Sequence, residues 1–167
     1  ITAVYSGEEG GESFPSNTVS VVVGLMQVEL WDFEDGLQNW TIVDNQTGWQ
    51  WSETVEISGN NTNYFSIDSD AAGTSVHVAD HAISPAIDLS QYSVAYLGFD
   101  YGYRDLTYDE FELLYRPSAT SEWVTLESIT PSLTFTHHEV ELPVEALTSE
   151  TQIAFYYDDN DSWAWYA

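Results

Sequence analysis

Three short stretches carry acidic side chains close enough together to serve a metal ion: Glu34-Asp35, Asp68-Ser69-Asp70 and Asp158-Asp159-Asn160-Asp161. Carboxylate and amide oxygens are what a hard cation takes, and Ca2+ collects about six to eight of them at about 2.3–2.6 Å. The run from Asp68 to Gly73 imitates the start of an EF-hand loop. Ala72, however, stands where a third ligand belongs, and no glutamate follows at the closing position, so the run is not an EF-hand. The competing reading of each cluster is a solvated turn in an acidic protein. His77-x-x-x-His81 has the spacing of a helical zinc pair. On the strand or loop expected there the two rings need not share a face, and Pro85 follows closely, so no zinc site is expected from that pair. Serine is frequent, yet no G-x-S-x-G nucleophile elbow occurs. With so many acids some carboxylate pair always lies at a glycosidase-like separation, which makes that signal empty. The sequence therefore supports no catalytic residue. Trp40, Trp49 and Trp51 lie in a polar, loop-rich stretch and are, of the tryptophans, the ones best placed to be exposed as ligand-binding faces. Exposed indole faces stack on the apolar faces of sugars, while carboxylates and amides bond the hydroxyls. Their alternative role is to anchor loops or fill the core.

The 167 residues include 28 acidic side chains against two basic ones, Arg104 and Arg116, for a formal net charge of -26. Nucleic acid and anionic membrane surfaces both recruit lysine and arginine to neutralise phosphate, so neither is expected as a partner. Like charge keeps such a chain soluble in saline surroundings, and divalent cations held by some carboxylates would offset the repulsion locally. There is no cysteine, which removes disulfides and thiolate metal sites and favours an oxygen-liganded ion. At 43% hydrophobic and 15% aromatic residues the chain is too apolar for a disordered acidic tail. No stretch is long and apolar enough to insert into a membrane as a helix. No signal peptide is visible at Ile1, and the chain reads as an excerpt of something longer.

These side chains have to be held by strands. Apolar residues recur every second position, and β-branched and aromatic residues crowd the runs at 18–24, 94–103, 108–116, 122–129, 137–142 and 151–157. No convincing helix is expected. In 94–103 one face carries Ala95, Leu97, Phe99, Tyr101 and Tyr103. In 108–116 it carries Phe111, Leu113 and Tyr115, with Glu110, Glu112 and Arg116 turned outward. In 151–157 it carries Ile153, Phe155 and Tyr157. Turn signals at 58–61, 70–73, Pro85, 116–118, Pro131 and Pro143 separate the runs. Short, regularly punctuated strands predict an all-β antiparallel β-sandwich of the jelly-roll type.

From Leu30 onward the stretches WDFEDGLQNWTIVDN (31–45), NYFSIDSDAAG (63–73), ISPAIDLSQYSVAYLGFDYGYR (83–104) and IAFYYDDNDSWAWY (153–166) occur in the order of the choice-of-anchor J family. The chain resembles that bacterial extracellular jelly-roll family, which is related to cleaved-adhesin and MAM-like domains. Ahead of it, ITAVYSGEEGGESFPSNTVSVVV resembles the closing hairpin of a fibronectin type III-like domain. The division is therefore expected as a hairpin over 1–26 and a jelly roll over 27–167. The resemblance implies structural calcium bound near the first strand and in the turns. Carried over by position, Glu34, Asp68 and Asp70 are the first ligands, followed by Asp158 and Asp159. It also implies that Trp163 and Trp165 begin a terminal strand whose remainder is missing. An unpaired edge there would invite pairing with another chain.

The function so implied is a noncatalytic, calcium-stabilised extracellular module, secreted or on a cell surface, within a larger multidomain protein. Its partners would be a glycan or protein ligand, together with neighbouring domains or adjacent subunits. Two other readings stay open. One is an accessory domain of a secreted hydrolase, namely a peptidase. The other is a subunit of an extracellular fibre completed by strand addition.

Overall fold

The computed structural model describes residues 26–42, 48–51, 62–73, 76–105 and 108–160. The chain divides into two compact units, Ile1–Leu30 and Trp31–Ala167. Of the first unit only residues 26–30 are described; they are exposed and without regular structure. The expected strand at 18–24, nearly all of the fibronectin-like hairpin, and the terminal strand of Trp163 and Trp165 lie outside the described residues.

The second unit is built almost wholly of antiparallel strands. In chain order these are β1 (Thr41–Ile42), β2 (Gln50–Trp51), β3 (Phe65–Ser66), β4 (Ala79–Ile83), β5 (Tyr96–Tyr103), β6 (Glu110–Arg116), β7 (Val124–Ser128), β8 (Ser132–Glu141) and β9 (Gln152–Asp158). A single helical turn, α1 (Ser69–Ala72), lies between β3 and β4, and a 3-10 turn, Val144–Ala146, follows β8. The main sheet runs β1-β4-β9-β6-β7, and β2–β3 and β5–β8 form two further pairs. This is the all-β sandwich that the alternating pattern predicts. No helix among the described residues is long and apolar enough to cross a membrane.

Central strand β9 shows why the pattern folds this way. It pairs with β4 on one side and β6 on the other, placing Phe155 beside Ala82 and Leu113, and Tyr157 beside Asp80 and Phe111. Ile153, Phe155 and Tyr157 point into the core, as their spacing of two requires. Ala154, on the opposite face, is also fully buried, which its small side chain permits. From the second layer, Phe99 of β5 meets the Phe155 ring edge-on at 5.1 Å, and Tyr101 meets Phe111 at 6.4 Å. Edge-to-face packing suits rings whose faces are electron-rich and whose rims are not.

The one α-helical turn among the described residues, absent from the sequence expectation, has a local cause. Asp68 adopts an extended backbone and its Oδ1 accepts from the N–H groups of Asp70 and Ala71, at 3.0 and 3.2 Å. That is an N-cap, satisfying donors that a helix start leaves without partners. Gly73 ends the turn at φ 84°, a conformation glycine adopts without steric penalty. The segment read as a turn signal at 70–73 is thus a capped helical turn.

Candidate functional site

The strand order brings acidic residues from separate segments to one end of the sandwich. β4 begins, β9 ends and β6 begins at the same level, since Asp158 is the register partner of both Ala79 and Glu110. Asp80, on the inward face of β4, is buried, and so is Asp159, just past β9. The Tyr157 hydroxyl donates to Asp109 Oδ2 at 3.0 Å and lies 3.2 Å from Ser69 Oγ, linking β9 to the entry of β6 and to α1. Burial, then the charges of Asp105, Asp109 and Glu110, hold the Tyr103 hydroxyl well above the usual phenol range. Tyr157 is raised chiefly by burial, with Asp109 adding to it against the Ser69 hydrogen bond. Both tyrosines therefore stay neutral and face a strongly negative neighbourhood.

At the outer side of this end, His77 Nε2 lies 2.7 Å from Asp158 Oδ1 and 3.9 Å from Asp159 Oδ1. Asp158 is further held by the Tyr156 hydroxyl on Oδ2 at 2.8 Å and by the Asn160 N–H on Oδ1 at 2.7 Å. Partial burial alone would push its carboxyl up. The bonds from His77, Asn160 and Tyr156 outweigh that and hold it below the usual carboxylate range. Among the described residues, His77, Asp158 and Asp159 form a group whose ligating atoms all lie within 4.8 Å of one another.

Glu34, Asp68 and Asp70 join no such group among the described residues. Glu34 sits in a tightly wound loop, flanked by positive φ at Phe33 (58°) and Gly36 (101°). Its carboxylate accepts from the Asn63 backbone N–H at 3.1 Å and from Asn63 Nδ2 at 3.2 Å, tying the loop to the approach of β3. Asp68 uses Oδ1 as the α1 cap, and Asp70 is exposed on that turn. An ionised carboxylate offers about four lone-pair positions. Glu34 and Asp68 each spend two on these bonds.

Of the three tryptophans, two take the core role and one stays exposed. Trp40 and Trp49 are only 6% and 4% exposed and present no ring face to a sugar. Trp40 stacks on Phe155 at 5.9 Å and meets Trp31 edge-on at 5.4 Å. Trp49 packs on Phe65 and Phe111 and donates from Nε1 to the Asp80 carbonyl at 3.1 Å. Trp51 alone of the three is exposed, at 41%, with its Nε1 held by the Phe33 carbonyl at 2.7 Å. His77 and His81 do not act as a pair, as expected for residues on a strand or loop. The structure gives His77 to Asp158, because the β4–β9 register decides its neighbours. His81 lies instead against Tyr156 and Trp123, at 4.6 and 6.0 Å between ring centroids.

No family model and no curated protein matches this sequence. Among solved structures, the chain is similar to the K1 cleaved adhesin domain of Lys-gingipain from Porphyromonas gingivalis W83. The identity is 18%, over 73% of this chain and 90% of that one, with a TM-score of 0.48. That likeness assigns no role to any residue here.

Proposed function

We propose that this chain is a noncatalytic extracellular binding or adhesion module of a larger protein, stabilised by calcium. The observation that carries the reading is the gathering of Asp80, Asp109, Asp158 and Asp159, from β4, the entry of β6 and the end of β9, at one end of an all-β sandwich. Concentrating like charge there costs stability unless cations offset it. The family resemblance of the four stretches from Trp31 to Tyr166 points the same way. Glu34, Asp68 and Asp70 are the carboxylates that the family resemblance places first for calcium. Of the three tryptophans, Trp51 is the one left to meet a glycan or protein ligand.

Calcium bound to the folded chain alone raises its unfolding midpoint by mass action. The test is thermal unfolding at fixed ionic strength with EDTA, with Mg2+, and across a calcium titration. At about a hundredfold excess over the dissociation constant one site adds about 2.7 kcal/mol. For a domain of this size that is a rise of several degrees. The proposal expects calcium, and not magnesium, to produce it, and Glu34→Gln or Asp68→Asn to reduce it. Equal responses to all divalent salts, unaltered in those variants, would remove the calcium assignment.

A further inference from the structure

We propose that His77, Asp158 and Asp159 form a binding site for a divalent transition-metal ion of the zinc class, which takes Asp158 and Asp159 away from calcium and leaves that reading to Glu34, Asp68 and Asp70. Calcium takes oxygen donors, whereas imidazole nitrogen suits zinc, cobalt and nickel. One imidazole and two carboxylates within 4.8 Å of one another form a three-point ligand set of that mixed type. Ligands about 2.0–2.2 Å from a tetrahedral zinc ion lie about 3.3–3.6 Å apart. The observed separations from His77 Nε2, 2.7 Å to Asp158 and 3.9 Å to Asp159, bracket that spacing. The first has to open by about 0.6–0.9 Å and the second to close by about 0.3–0.6 Å, within reach of side-chain rotation. On binding, the ion takes the place of the proton shared between His77 Nε2 and Asp158 Oδ1.

The backbone holds the three residues together. Asp158 is paired with Ala79 across the β4–β9 ladder, and the Asp159 N–H donates to the Val78 carbonyl at 3.0 Å. The segment carrying His77 is therefore locked beside the end of β9 by main-chain bonds that do not depend on the cluster's side chains. Around the ligands, the Tyr156 hydroxyl fixes Asp158 through its second oxygen, the kind of outer support that orients metal-bound carboxylates. Burial grades across the site. The side chains of Asp159, Asp158 and His77 are 2%, 14% and 47% exposed, giving a sheltered floor and an open mouth. The mouth supplies an entry path and leaves a coordination position for water or for an external ligand.

The experiment is calorimetric titration of the whole chain with Zn2+ and, separately, with Co2+, whose visible absorption reports nitrogen–oxygen coordination. His77→Gln is the main variant, because the side chain is half exposed and its replacement leaves the core intact. His137→Gln controls for adventitious binding at the exposed His137–Asp100 pair. The expected result is one Zn2+ site, weakened at least tenfold in His77→Gln and unchanged in His137→Gln, with the Co2+ band lost in the former. The calcium response of His77→Gln stays that of the parent, so the two readings fail separately. Absence of Zn2+ binding by the parent, or equal affinity in His77→Gln, would overturn the assignment.

Discussion

His81 lies half buried on the outer face of the main sheet, between Tyr156 and Trp123, and the Arg116 guanidinium sits 4.3 Å from the Trp123 ring centroid. Burial first, and the Arg116 charge second, lower its pKa from the ordinary 6.5. A folded-state value below the unfolded one means that, as pH falls below about 6.5, the unfolded chain binds a proton the folded chain declines. The stability due to a neutral His81 is therefore present above that pH and lost as pH falls toward the folded value. His81→Gln should lose less stability than the parent between pH 7.5 and 5. The comparison has to be made as a difference, because acid also relieves the general negative charge in both proteins. Parallel midpoint curves for the two across that range would show that His81 contributes nothing to the pH response.

Phe155 of β9 is the hub of the packed layers, in ring contact with Trp40, Phe65, Phe99 and Phe111. Phe155→Ala should cost about 3–5 kcal/mol, the range for emptying an aromatic site in a core. Leu133→Ala on β8, where the side chain is 66% exposed, should stay within about 0.5 kcal/mol. Denaturant midpoints of the two variants test this, and similar losses would mean that Phe155 does not anchor the layers. The inward faces of β5, β6 and β9 were legible in the sequence, because runs of seven or eight residues repeat the period of two several times. β1, β2 and β3 were not legible, because two residues contain no period. β8 begins at Ser132, five residues before the expected run, with Leu133 facing solvent and breaking the pattern. Trp40 and Trp49 misled for a related reason: their neighbours in sequence are polar, while their neighbours in space are Phe65, Phe111 and Phe155. The same limit hid the site around His77. Acidic clusters could be seen one at a time, but the register that sets Asp158 beside Ala79, and so beside His77, belongs to the sheet and not to any local run.

Across the whole molecule, 28 acidic side chains face two arginines, so repulsion between carboxylates works against the compact state. Among the described residues, the rings of His77, His137 and His138 each lie within hydrogen-bond distance of a carboxylate, at 2.7, 2.8 and 2.9 Å. Exposed charges interact over a distance that monovalent salt shortens, from about 10 Å at 0.1 M to about 3 Å at 1 M. Raising NaCl across that interval should therefore raise the unfolding midpoint, unlike a protein of balanced charge, whose attractive pairs would weaken as well. A flat or falling midpoint would mean that the acids are already compensated within the fold. The same titration separates a diffuse field from discrete sites. Screening saturates as the Debye length drops below the spacing of the charges, whereas binding saturates at the dissociation constant of a site. A calcium or zinc response that persists in 1 M NaCl, at concentrations too low to alter ionic strength, belongs to coordinating side chains. One that disappears there belongs to the net charge.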